Sequence, residues 1–174
     1  MARRSKLMDM LTEYAAAHRH PWNVAVHMIG IPVIMFGVLV PLSWVSIRIN
    51  AFGFDLAQAA VVGMFFFYVT LDRLFAAVFL LLGLAMAWLA GIVGELPEAL
   101  SGGIAAAAFF GGYLAQFVGH AIEKSPPVIL KHPVQANLAA PFFTIVEACK
   151  LLGLRDELFV ELQQRIAQRR PEAS

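Results

Sequence analysis

Four long apolar runs, at 24–47, 52–71, 74–93 and 102–122, leave this chain few ways to fold. Asp55 is the one formally charged residue inside them. A run of about twenty apolar residues is long enough to cross a hydrocarbon core of roughly 30 Å. Inside lipid, only helices and closed barrels satisfy every backbone N–H and C=O. The expected fold is therefore all-α: a polytopic membrane helix bundle with about four transmembrane helices. Composition agrees, since 14% of the 174 residues are charged, against about a quarter in an ordinary soluble domain. A formal net charge of +1 gives no basic surface for nucleic acid, so the bilayer is the expected partner and nucleic acid is not.

The remaining segments read as interfacial amphipathic helices around one membrane-embedded domain, 1–174. Residues 5–17 set Leu7, Leu11 and Tyr14 at helical spacing beside Lys6, Asp9 and Glu13, a short helix for the membrane surface. His20-Pro21 interrupts it, because the residue before a proline avoids the α region. The stretch 138–152 is too short for a full span and carries Glu147 and Lys150, which predicts an interfacial or re-entrant helix. Residues 155–170 predict a cytoplasmic amphipathic helix, with Leu154, Leu158, Leu162 and Ile166 forming its stripe. Cys149 has no partner for a disulfide and no base beside it, so it reads as a packing residue. With four spans, every one of the 13 Lys and Arg residues except Arg48 falls on one side of the membrane. The positive-inside rule then puts both termini in the cytoplasm, which in a bacterium means a multi-pass protein of the inner membrane.

The same four-span arrangement collects all 5 histidines at one membrane face. His18, His20 and His27 stand at the start of the first run, His120 ends the fourth, and His132 follows in the adjoining loop. Asn23 and His27 share a helix face, as do Gln116, His120 and Glu123. Each intramembrane histidine thus has an amide one turn before it, placed to orient an imidazole from behind. A histidine in an apolar helix is costly unless it meets a ligand, water or a polar partner. Imidazoles with one carboxylate and open coordination positions suit non-haem Fe(II) handling O₂.

Blander readings stay open at these positions. His20 and His132 each precede a proline and fit solvated loops. His27 and His120 fit interhelical hydrogen bonds that lock a bundle, or the ligands of a haem or divalent metal in a non-catalytic membrane protein. Glu123 fits a surface pair with Lys124 or Arg19. The histidine-rich di-iron lipid oxidases need more histidines than this chain has, and no GxSxG marks a serine hydrolase.

Two stretches resemble the signatures of a known family. His18-Arg19-His20-Pro21-Trp22-Asn23, continued by His27 and Gly30-Ile31-Pro32, is similar to the first. Gln116-Phe117-Val118-Gly119-His120, followed by Glu123-Lys124 and Pro127, is similar to the second. Pro133, Gln135, Ala140-Pro141-Phe142 and Glu147 continue the match. The family is that of the small membrane-embedded Fe(II)-dependent 2-hydroxy fatty acid dioxygenases of fatty acid α-oxidation. The resemblance runs from about Tyr14 to Gly153. It implies removal of one carbon from a long-chain 2-hydroxy fatty acid with O₂ and Fe(2+). On that reading His18, His27, His120 and His132 are the metal-ligand candidates, and His18, His27, His120 and Glu123 the catalytic ones. Asn23 and Gln116 support the cofactor site from behind. The spacer Ala121-Ile122 is one residue shorter than in eukaryotic members of that family.

Overall fold

A computed structural model describes residues 7–9, 11–12, 20–49, 52–124, 126–130 and 133–169. Its helices are α1 (Pro21–Ser43), α2 (Leu56–Val69), α3 (Arg73–Gly94), α4 (Glu98–Glu123), α5 (Pro133–Leu151) and α6 (Asp156–Arg169), with a 3-10 turn at Val128–Leu130. Strands β1 (Ser46–Ile49) and β2 (Phe52–Asp55) pair antiparallel between α1 and α2. The fold is all-α apart from this hairpin. The helices α1, α3 and α4 are long and apolar enough to cross a membrane, and α2 is a shorter apolar helix.

The hairpin changes two of the expected spans. The first run stops being helical at Ser43 instead of continuing to 47, and the second begins its helix at Leu56, not 52. The physical reason lies in 45–50, where Val45, Ile47 and Ile49 alternate with Ser46, Arg48 and Asn50. That is the period of a strand. Asp55 then starts α2 with a capping box: its side chain accepts from the Gln58 N–H, and Gln58 accepts from the Asp55 N–H. The 14 residues of α2 extend about 21 Å at 1.5 Å per residue, short of the roughly 30 Å core.

Small residues bring α1 and α4 together. A Cβ on Gly37 would lie 2.6 Å from the Phe109 nitrogen and 2.8 Å from the Ala105 carbonyl oxygen. A Cβ on Gly112 would lie 2.5 Å from Ile34 Cγ1 and 3.1 Å from the Gly30 carbonyl oxygen. These contacts run in antiparallel order, Gly37 with Phe109, Ile34 with Gly112, Gly30 with Gln116, so the start of α1 faces the end of α4. Close backbone approach through small residues is how membrane helices associate without a hydrophobic drive between them.

A second core joins α2, α3 and α5. Tyr68 is fully buried, stacks edge-on against Phe79 at 4.6 Å and lies 5.0 Å from Phe142. Its hydroxyl donates to the Leu138 carbonyl at 2.7 Å. Cys149 is buried in the same cluster. The first turns of α5 meet Tyr113 and Tyr68, through Asn137 and Leu138. The corner after α5 meets the turn between α2 and α3, where Arg155 pairs with Asp72 at 2.7 Å. Asp72 also caps α3, accepting from Leu74 and Phe75. It is an anchor for the α5–α6 corner as well as a turn residue. That corner bends by 112°. Gly153, at φ +67, closes it: the Leu154 N–H reaches the Cys149 carbonyl and the Gly153 N–H the Lys150 carbonyl, the pairing of a glycine-ended helix. Leu7, Met8 and Leu11 are buried with Leu158, Phe159 and Leu162 of α6.

Candidate functional site

Antiparallel packing of α1 on α4 carries the two intramembrane histidines to each other. His27 lies two turns into α1 and His120 in the last turn of α4, and they are 4% and 5% exposed. Their ring centroids are 4.9 Å apart and the planes stand at 89°. Residues 93 apart in sequence thus form one enclosed pair, which hydropathy and the parity of the hairpins had placed at one membrane depth.

His27 Nδ1 lies 2.9 Å from the main-chain carbonyl oxygen of Asn23. A carbonyl only accepts, so Nδ1 carries a proton, and the tautomer this selects for a neutral ring has its lone pair on Nε2. This is the arrangement that prepares a histidine to bind a metal through Nε2. Spacing alone suggested that the Asn23 side-chain amide would orient His27. The structure assigns that task to the Asn23 main chain instead. The side chain crosses to α4, where Nδ2 donates to the Glu123 carboxylate. One residue therefore fixes the His27 tautomer and ties α1 to the end of α4.

Asn23 is fully buried, and among the described residues its Oδ1 has no hydrogen-bond partner. Oδ1 lies only 2.5 Å from the ideal position of a Cβ on Gly119, so it faces a Cα hydrogen, a weak donor. Only glycine fits at 119. Gln116, one turn before His120, packs against Gly30: a Cβ there would lie 3.4 Å from Gln116 Cγ.

The other histidines divide. His20 caps α1, its Nδ1 accepting from the Trp22 N–H at 3.2 Å, with Pro21 at the first helical position where its missing N–H costs nothing. His18 and His132 lie outside the described residues, as do Arg19 and Lys131. Among the described residues, no group of three His, Cys, Asp or Glu side chains is placed to hold a metal. The described part of the site is a pair of imidazoles, with the Asn23–Glu123 bond beside it.

Asn23→Ala is expected to leave the main-chain bond to His27 in place but to break the link to Glu123. If the pair holds iron, as the family resemblance implies, the affinity for added Fe(II), measured by chelator competition, should fall by roughly 10–100-fold, as it does when a group behind a ligand is lost. Unchanged affinity would show that the link plays no part in metal binding.

Fold and site define a class: a small polytopic helix bundle with a paired-imidazole centre between its first and last long helices. The chain belongs to the Mpo1-like family, described as 2-hydroxy-palmitic acid dioxygenase Mpo1-like, whose profile matches residues 5–152. The 2-hydroxy-palmitic acid dioxygenase of Saccharomyces cerevisiae is 29% identical over 158 residues, covering 90% of this chain and 87% of the relative. No solved structure matches the chain.

Proposed function

We propose that this protein is a non-haem Fe(II) dioxygenase of fatty acid α-oxidation, which removes one carbon from long-chain 2-hydroxy fatty acids. The observation that carries the reading is the buried His27–His120 pair, with His27 held in the tautomer a metal ligand needs. Family membership and the dioxygenase relative supply the substrate class. The donor set fits ferrous iron, which takes imidazole and carboxylate ligands and leaves positions open. His27 and His120 would supply two ligands; His18, from the first signature, and His132, in the loop after α4, are proposed to complete the set. Iron at this position would bind O₂ and carry the electrons of the reaction.

The chain's own groups account for orientation. The Asn23 carbonyl holds the His27 ring, and Glu123 is held against α1 by the Asn23 amide. Lys124, the left-handed C-cap of α4, adds positive charge beside the site for a substrate carboxylate. The overall change, R–CH(OH)–COOH + O₂ to R–COOH + CO₂ + H₂O, balances without a further reductant, because the substrate gives up the four electrons that O₂ accepts. Haem fits poorly. The α1 and α4 backbones touch near Gly30 and Gly112, and edge-to-face imidazoles at 4.9 Å leave no slot for a porphyrin.

The test is incubation of the purified protein with Fe(II), O₂ and 2-hydroxyhexadecanoic acid, followed by mass analysis. The expected product is the fifteen-carbon acid. Recovery of intact substrate under these conditions would overturn the reading.

The proposed orientation has both termini in the cytoplasm, from the one-sided distribution of Lys and Arg. A reporter inserted at 95–97, between α3 and α4, is expected to read as external, and one after Ser174 as cytoplasmic. Reporters on the same side at both points would overturn this topology.

A further inference from the structure

At the hairpin end of the α1–α4 seam lies an apolar groove of about 410 Å³, lined by residues that include Gly37, Pro41, Trp44, Gly102, Ala106 and Phe110. Its side of the seam is set by helix geometry. His27 and Val38 are eleven residues apart, close to three turns, and His120 and Gly102 are eighteen apart, five full turns. Val38 and Gly102 both line the groove, so it opens on the side of the seam that carries the two imidazoles. Between them, on the same face of α4, the Tyr113 hydroxyl donates to Asn137 at 2.5 Å, which brings the first turn of α5 over the path. Trp44 ends the groove, fixed by its indole N–H donating to the buried Ser101 hydroxyl at 3.1 Å.

Distances match an acyl chain. At 1.5 Å per residue the groove begins about 15 Å from the histidine level, at Gly37, and ends about 25–27 Å away, at Trp44 and Gly102. A carbon–carbon bond of about 1.5 Å zigzags to about 1.25 Å of length per methylene. A chain whose second carbon lies at the imidazoles therefore enters the groove near its fourteenth carbon and fills it at roughly the twenty-second. Its lining is apolar and belongs mostly to α1 and α4, two helices long and apolar enough to cross a membrane, so an acyl chain is the matching occupant.

We propose that this groove binds the methyl end of the fatty acid whose oxygenated end lies at His27 and His120, and that Ala106 and Trp44 set the preferred chain length. The inference rests on the proposed function for its substrate. It predicts that acids of 16 to 22 carbons are preferred over those of 12. Ala106→Phe, which fills the groove, should lower kcat/KM for the 20-carbon acid about tenfold or more relative to the 14-carbon acid, through the loss of two or three methylene contacts. Trp44→Ala, which opens the far end, should shift the profile the other way, toward acids of 24 carbons. Shifts of opposite sign cannot come from general misfolding.

Photo-crosslinking tests occupancy without relying on turnover. A 20-carbon 2-hydroxy acid with a terminal diazirine should label peptides covering 37–44 and 102–110. Excess unlabelled 2-hydroxy acid should displace it, and phosphatidylcholine should not. Labelling that phosphatidylcholine displaces equally well, or labelling elsewhere, would overturn the proposal, with the groove then holding a bilayer chain at most. If wild-type protein shortens 2-hydroxy acids but both variants keep its chain-length profile, the activity stands and the groove assignment falls. If no 2-hydroxy acid is shortened and the probe does not label the groove, both fall.

Discussion

His27→Ala and His120→Ala are each expected to abolish turnover of 2-hydroxy fatty acids while the protein stays folded in the membrane. Both rings are nearly fully buried and lie edge to face at 4.9 Å. Removing one leaves a single enclosed imidazole among the described residues, too few to hold iron without help. The loss should exceed the roughly 10–100-fold expected for a group standing behind a ligand. Folding should survive, because the α1–α4 seam is made mainly by glycine contacts at 30, 37 and 112, away from the rings. His20→Ala gives the contrast: it removes a helix cap at a cost of about 0.5–2 kcal/mol and should keep turnover. Measured side by side in one detergent, turnover and thermal unfolding separate the outcomes. Wild-type turnover in either His27→Ala or His120→Ala would remove the pair from the chemistry.

Gly37→Ala is expected to destabilise the bundle far more than Gly111→Ala. At Gly37 the added Cβ would meet main-chain atoms, the Phe109 nitrogen and the Ala105 oxygen, at 2.6 and 2.8 Å. Backbone cannot step aside as a side-chain tip can, so α1 and α4 must separate. Overpacking of this kind costs about 1–3 kcal/mol, and separation should also open the His27–His120 distance and weaken iron binding. At Gly111 nothing lies within 4 Å of the added Cβ. Alanine there should be neutral, or stabilising by up to about 1 kcal/mol through helix propensity. Equal thermal stability of the two variants would mean that α1 and α4 do not approach as closely as described.

The shared membrane depth of His27 and His120 was legible in the sequence because it depends only on counting; their ring contact was not. Apolar runs give the number of crossings, the turns alternate sides, and two histidines at matching ends of the first and fourth runs must share a depth. The asymmetry of Lys and Arg reinforced that count. The hairpin was legible too, in the alternation from Val45 to Asn50, but the apolar character of the flanking runs masked it. What sequence could not show depends on contacts across helices. Gly111, Gly112 and Gly119 look alike as letters, yet Gly112 and Gly119 sit against α1 and Gly111 faces open space. Asn23 stands one turn before His27, and that spacing is silent on whether side chain or main chain makes the bond. Asp72 resembles an ordinary turn residue until Arg155, 83 positions later, closes on it.

Iron content tests most directly whether His27 and His120 hold iron. Protein purified anaerobically should carry about one iron per chain, lost on treatment with a ferrous chelator and restored by added Fe(II). His27→Ala and His120→Ala, purified in the same way, should carry almost none while unfolding at close to the wild-type temperature. Wild-type iron in both variants, together with a large loss of thermal stability, would contradict the account and leave the two histidines as struts between helices.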